Sequence, residues 1–177
     1  MRAYLAGSIF YYGDVLRNTE WAAKIRAAFP DIDLYSPIEN TEINGAEGKK
    51  KFASSEMIAK ADNERLDRTD VLIACIDGDI IPSGTASEIG RFSALPGRRL
   101  IVGISTDNRD AYMTHSEEKD IGAHSGLCEN QYCYHNLYTV GLIKERGVLV
   151  NNIEDAIEAM KIYAKEEEEF DDYSDFR

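Results

Sequence analysis

The sequence predicts an α/β fold, a doubly wound parallel sheet of five strands with helices on both faces. Three observations carry that prediction. Short apolar runs alternate with helix-length amphipathic segments along most of the chain. The central run from Asp70 to Ile104, DVLIACIDGDIIPSGTASEIGRFSALPGRRLIVGI, reads as strand, crossover helix and strand. The chain of 177 residues is also long enough for one domain that buries roughly two-thirds of the surface its unfolded form exposes.

In chain order, Arg2 to Ala6 (RAYLA) is a strand that enters a tight turn at Gly7-Ser8. Ser8 and the open N–H groups there suit a polar or anionic group, while Gly7 on the plainer reading only permits the turn. Leu16, Trp21, Ala22, Ile25 and Phe29 recur at helical spacing, which predicts a helix from Val15 to Phe29 stopped by Pro30. Ile32 to Tyr35 is the second strand, closed by Ser36-Pro37. The segment 39–51, ENTEINGAEGKKK, has two glycines and no apolar period, and its length suits a lid or a binding loop. A helix over 52–67 takes its apolar stripe from Phe52, Met57, Ile58, Ala61 and Leu66. Asp62 falls between those positions, facing either solvent or the ligand edge of the sheet.

Strands at 71–76 and 100–104 enclose a helix over 85–95. A long polar connection at 111–134 follows, then a helix from Asn136 to Glu145, a strand at Val148 to Val150, and a last helix from Ile153 to Lys165 capped by Asn151 or Asn152. Residues 1–165 make the domain, and 166–177 (EEEEFDDYSDFR) a frayed acidic tail.

The net charge of −12 opposes affinity for polymeric nucleic acid or an anionic membrane. The tail, with seven acids and one arginine, carries half of it. No signal-peptide core or membrane-length apolar run is present, so a cytoplasmic location is expected. Cys75 sits in an apolar strand and reads as a small core residue. His124, Cys128, Cys133 and His135 lack the close cysteine knuckle of structural zinc sites, so no metal is expected there. No nucleotide cofactor is implied either, because the glycine turns have neither dinucleotide-binding nor P-loop spacing.

Glu88 is the most informative residue. It opens a helix just beyond the carboxyl end of a strand, the edge where open α/β sheets bind ligands. Two readings stand at this point. Thr85-Ala-Ser-Glu88 has the spacing of a capping box, in which the glutamate bonds back to the N-cap amide. The same carboxylate is also a candidate for covalent chemistry.

Four segments taken together resemble the nucleoside 2-deoxyribosyltransferase family: YLAGSIF at 4–10, Asp62 with Asp70 in a D-x7-D pattern, SGTASEIG at 83–90 and NLYTVG at 136–141. The resemblance runs from the first strand to the last helix. It implies a flavodoxin-like sheet, a homo-oligomer whose active sites are completed by a neighbouring subunit, and transfer of 2-deoxyribose from a deoxynucleoside to a free nucleobase. It further implies Glu88 as nucleophile, Tyr4 as the phenol that holds it, Asp62 as the acid and base for the nucleobase, and Asn136 as the partner-supplied contact at the sugar's 5′ end. Gly7, Ser8, Ser83 and Gly84 fall in the matching substrate-contact segments. The transferases usually have an aspartate where this chain has Pro82, which leaves Asp77, Asp79 or Ser83 as stand-ins at the 5′ end. Two alternatives remain in view: a deoxynucleoside 5′-monophosphate N-glycosidase, with Ser8 and Ser83 holding a phosphate, and a non-catalytic nucleoside- or nucleotide-binding module. Asn136 and the acidic Asp77-Gly-Asp79 turn favour the transferase.

Overall fold

A computed structural model describes residues 1–40, 54–78, 80–107 and 135–174. Its strands are β1 (Arg2–Ala6), β2 (Asp33–Tyr35), β3 (Val71–Cys75), β4 (Leu100–Ile104) and β5 (Gly147–Val150). Its helices are α1 (Tyr12–Ala28), α2 (Ser55–Arg68), α3 (Ser83–Ser93), α4 (Leu137–Arg146) and α5 (Ile153–Ser174). The five strands are all parallel, in the order β2-β1-β3-β4-β5. That is the flavodoxin-like order, which changes direction between β1 and β3 and opens a crevice at their carboxyl ends.

Alternation of side chains along the strands sorts the core into two layers. On one face Ala3, Leu5, Ile73, Val102 and Val150 pack against Trp21 and Ile25 of α1 and Ala156 and Met160 of α5. On the other, Tyr4, Leu72, Ile76, Ile101 and Leu149 meet Leu66 of α2, Ile89 and Phe92 of α3, and Val140 and Ile143 of α4. Gly103 lets α4 settle on this second face, because a Cβ there would stand 2.9 Å from Ile143 Cδ1 and 2.7 Å from Leu149 Cδ2. Cys75 is a buried core residue as expected, and burial pushes its thiol up to about 12.

Several boundaries differ from those the sequence suggests. α1 starts at Tyr12 because Asp14, from inside the first turn, accepts the Tyr11 N–H at 3.3 Å. Ser54 caps α2 by accepting from Met57 N. α3 starts at Ser83, with Pro82 at the N-cap and no side-chain cap. α5, capped by Asn152 at 2.7 Å from Asp155 N, continues through Ser174 rather than ending at Lys165. The expected loop over 39–51 and the connection at 111–134, with His124, Cys128 and Cys133, fall wholly or mostly outside the described residues. Among those described, no helix is long and apolar enough to cross a membrane.

The lower edge of the sheet is closed by arginines. Arg99 donates to the carbonyls of Thr69, Asp67 (3.0 Å) and Pro96 (2.9 Å), and Arg146 to those of Gly97 (3.0 Å) and Leu95 (3.1 Å). Carbonyls at a helix end have no partner within the helix, and a planar guanidinium reaches several at once. Arg99→Ala is therefore expected to lower the unfolding free energy in urea by about 1.5–3 kcal/mol. Arg99→Lys should recover only part of that loss, since an ammonium cannot span all three carbonyls.

Candidate active site

Three elements of the second face bring three side chains together. Tyr4 is at the middle of β1 and fully buried, and its hydroxyl donates to Glu88 Oε1 at 2.6 Å. Glu88 is the sixth residue of α3. The capping box is thereby corrected. A helix that begins at Ser83 leaves Thr85 buried inside its first turn, and Glu88 one turn further on, directed at the sheet. Asp62, half-buried on α2, turns inward toward the same phenol rather than out to solvent.

The charges of this trio are coupled. Burial pushes Glu88 up to about 7; the Tyr4 hydrogen bond opposes that rise and the Asp62 charge adds to it. Burial also raises Asp62, again opposed by Tyr4. Tyr4 itself is held protonated by burial and then by the charge of Glu88. A carboxyl group whose proton affinity is raised by a charged carboxylate beside it favours a state with one proton between the two. Among the described residues Glu88 Oε2 accepts no hydrogen bond, so the phenol holds one oxygen and the other keeps its lone pairs.

Tyr35 completes the cluster, and nothing in its local sequence marked it. It pairs with Tyr4 in the β1–β2 register, and the two ring centroids are 5.0 Å apart at 53°. Its hydroxyl accepts from Asn40 Nδ2 at 3.0 Å, and the Arg65 guanidinium lies 5.0 Å from its ring centroid. Only the pairing of two strands some thirty residues apart reveals it.

The other expected site residues line the carboxyl edge of the sheet without touching the trio. The Ser8 carbonyl accepts from Arg17 Nη2 (3.2 Å) and Asn18 Nδ2 (2.9 Å). Gly7 has no left-handed dihedral, and a Cβ there would fit only tightly, 3.3 Å from Cys75 Cβ. Ser83 and Gly84 are exposed where α3 opens, with free space beside Gly84. Asn136 is exposed at the N-cap of α4, and its Oδ1 accepts from Thr139 N at 3.2 Å. Its neighbour His135 is buried, 3.0 Å from Ser105 Oγ. Asp77, one of the groups suggested in place of the aspartate that Pro82 replaces, accepts from Thr106 with both oxygens, at 2.6 and 2.7 Å. Asp79 is outside the described residues.

A family model described as nucleoside 2-deoxyribosyltransferase matches residues 3–160. Among solved structures, a conserved protein from Enterococcus faecalis V583 is 37% identical, with a TM-score of 0.71 over 92% of this chain and 98% of that one. A 2-deoxyribosyltransferase from Bacillus psychrosaccharolyticus shares the fold at 18% identity, with a TM-score of 0.54 over 89% of this chain and 90% of that one. No curated protein matches the chain.

The trio makes stability depend on pH in a defined direction. Glu88 titrates at about 7 in the folded protein against an ordinary 4.5. A raised folded value means its contribution is complete below pH 4.5 and lost as pH rises through 7. The wild-type thermal midpoint should fall across that window relative to Glu88→Gln, whose amide does not titrate; parallel curves would contradict the assignment. Tyr4→Phe removes the hydrogen bond that holds Glu88 down, so carbon-13 titration of the Glu88 carboxyl should move above the wild-type value.

Proposed function

The chain belongs to the nucleoside 2-deoxyribosyltransferase family, and on that premise we propose that it exchanges the nucleobase of 2′-deoxyribonucleosides through a covalent deoxyribosyl–Glu88 ester. The observation that carries this reading is the 2.6 Å bond from a buried phenol to one oxygen of Glu88, with the other oxygen unoccupied among the described residues.

In the first step Glu88 Oε2 attacks C1′ of the sugar. The C1′–N bond breaks, its electron pair goes to the base nitrogen, and the proton on Asp62 follows it there, so that the base leaves neutral. In the second step a nitrogen of the incoming base attacks C1′ from the opposite side, Asp62 takes its proton, and the ester electrons return to Glu88. Two displacements retain the anomeric configuration. The trio then carries one negative charge throughout: on Glu88 when Asp62 is protonated, and on Asp62 when Glu88 is esterified. That alternation suits two carboxyl groups that both have raised proton affinity, since each ionises most readily when the other is neutral.

Asn136 fits a contact made to a neighbouring copy. The residue is exposed and its Oδ1 is used by the α4 cap, which leaves the Nδ2 hydrogens as the donors it can offer to an oxygen at the far end of the sugar. The protein would then act as a homo-oligomer with shared sites. If water takes the place of the incoming base in the second step, the same trio makes a hydrolase.

Incubation with deoxyinosine or thymidine plus adenine or cytosine, followed by chromatography, separates the readings. A new deoxynucleoside is the expected outcome. Free base with free deoxyribose would mean hydrolysis, and no change in nucleosides or deoxynucleotides would mean a binding module. Glu88→Ala should abolish exchange and lower the thermal midpoint, because the buried Tyr4 hydroxyl loses its acceptor; full activity in the folded variant would overturn the assignment. Mixing Glu88→Ala with Asn136→Ala under subunit exchange should restore part of the activity. No recovery in confirmed mixed oligomers would place Asn136 in its own subunit's service.

A further inference from the structure

The start of α4 is held to the sheet by a polar side chain. Of the four residues that lead into the helix, Asn136, Leu137 and Tyr138 are exposed, and only His135 is buried. The apolar side chains that seat α4 on the second face begin at Val140 and continue at Ile143, so they hold the body of the helix and not its first residues.

His135 Nε2 lies 3.0 Å from Ser105 Oγ, 30 positions back in the chain. Ser105 is fully buried just past the end of β4, where its N–H donates to the Val150 carbonyl of β5 at 2.9 Å. Beside it, Thr106 is bound twice by Asp77, which follows β3. The ends of three strands thus form one footing, and the imidazole is fastened to it. Parting the pair would leave a buried hydroxyl and a ring nitrogen without each other, so the contact is favoured closed. The next residue is Asn136, whose Oδ1 accepts from Thr139 N and whose carbonyl accepts from Val140 N at 3.0 Å. The direction of its side chain therefore follows the first turn of α4, and that turn follows His135.

We propose that His135 is a positioning residue: its bond to Ser105 fixes the first turn of α4 and, through it, the direction in which the Asn136 amide is offered to a neighbouring copy. The role of Asn136 rests on the base-exchange reading above; the latch that holds it does not. A side chain lent to another subunit's site has to be held by its own chain before substrate arrives, and a buried bond to strand ends does this more firmly than an exposed helix start.

Hydrogen exchange of the Thr139 amide, followed by NMR, reads the Asn136 cap directly, because that amide is the cap's donor. Ser105→Ala, which removes one oxygen, should speed this exchange about tenfold, the value of one lost hydrogen bond, while the Val102 amide in the middle of β4 keeps its rate. Base exchange by the folded variant should fall about tenfold in kcat/KM. His135→Gln, whose amide reaches the place of Nε2, should stay within about threefold of wild type, and His135→Phe, which fills the space without the nitrogen, should match Ser105→Ala. Under subunit exchange Ser105→Ala should recover activity with Glu88→Ala and not with Asn136→Ala, since the latch and Asn136 serve the same neighbour's site. An unchanged Thr139 rate in Ser105→Ala would overturn the proposal. So would a faster rate with unchanged kcat/KM, or recovery with Asn136→Ala, either of which would make the bond a structural tie alone. The two readings fail separately: wild type that exchanges no base would remove the transferase, and in that protein an accelerated Thr139 rate would still support the latch and an unchanged one would still overturn it.

Discussion

A hydrogen bond of 2.6 Å between residues 84 positions apart organises this molecule. Its donor, the Tyr4 hydroxyl, belongs to a strand paired on both sides, by β2 and by β3, and its ring is sealed from solvent. Its acceptor is on the crossover helix that follows β3. The strand order places that helix over the crevice where the sheet changes direction, and α2 closes the same space from the other side with Asp62. A phenol buried to this degree stays protonated, so it acts as a fixed donor that orients one carboxylate oxygen, while the second accepts no hydrogen bond among the described residues.

The electrostatics follow from that geometry. With little water near it, Glu88 gives up its proton reluctantly, and the nearby Asp62 makes this harder. The phenol compensates in part, which keeps Glu88 near neutrality rather than well above it. A weakly solvated carboxyl group that titrates close to pH 7 can serve as a nucleophile once ionised, and a neighbour whose proton affinity is also raised can carry the proton. The arrangement resembles the separation of roles between paired carboxylates in retaining glycoside chemistry, where one group bonds to the sugar and the other manages the proton.

Much of the framework was legible in the sequence. A parallel sheet covered on both faces writes its strands as unbroken apolar runs, and β4 has the bounds those runs suggest. Helix starts were harder to place. Pro82 gives no side-chain signal as an N-cap, so Thr85 and Glu88 mimicked a cap that the structure assigns elsewhere. In α5 the density of acids reads as a solvated tail, although the backbone stays helical to Ser174. For the site, Glu88 stood out by its place beyond the carboxyl end of a strand, whereas Tyr4 and Asp62 were unremarkable by local pattern and only the joint resemblance to a family drew attention to them. Tyr35 carried no such mark. Its role depends on strand register and ring packing, which periodicity does not encode.

The most direct test of the central claim is peptide mass spectrometry of protein quenched with acid during turnover of a deoxynucleoside in the absence of an acceptor base. The account predicts one deoxyribosyl group on the peptide containing Glu88, removed when a free base is added before the quench. Base release with no adduct, and a sugar product of inverted configuration at C1′, would show that residue 88 never bonds to the sugar.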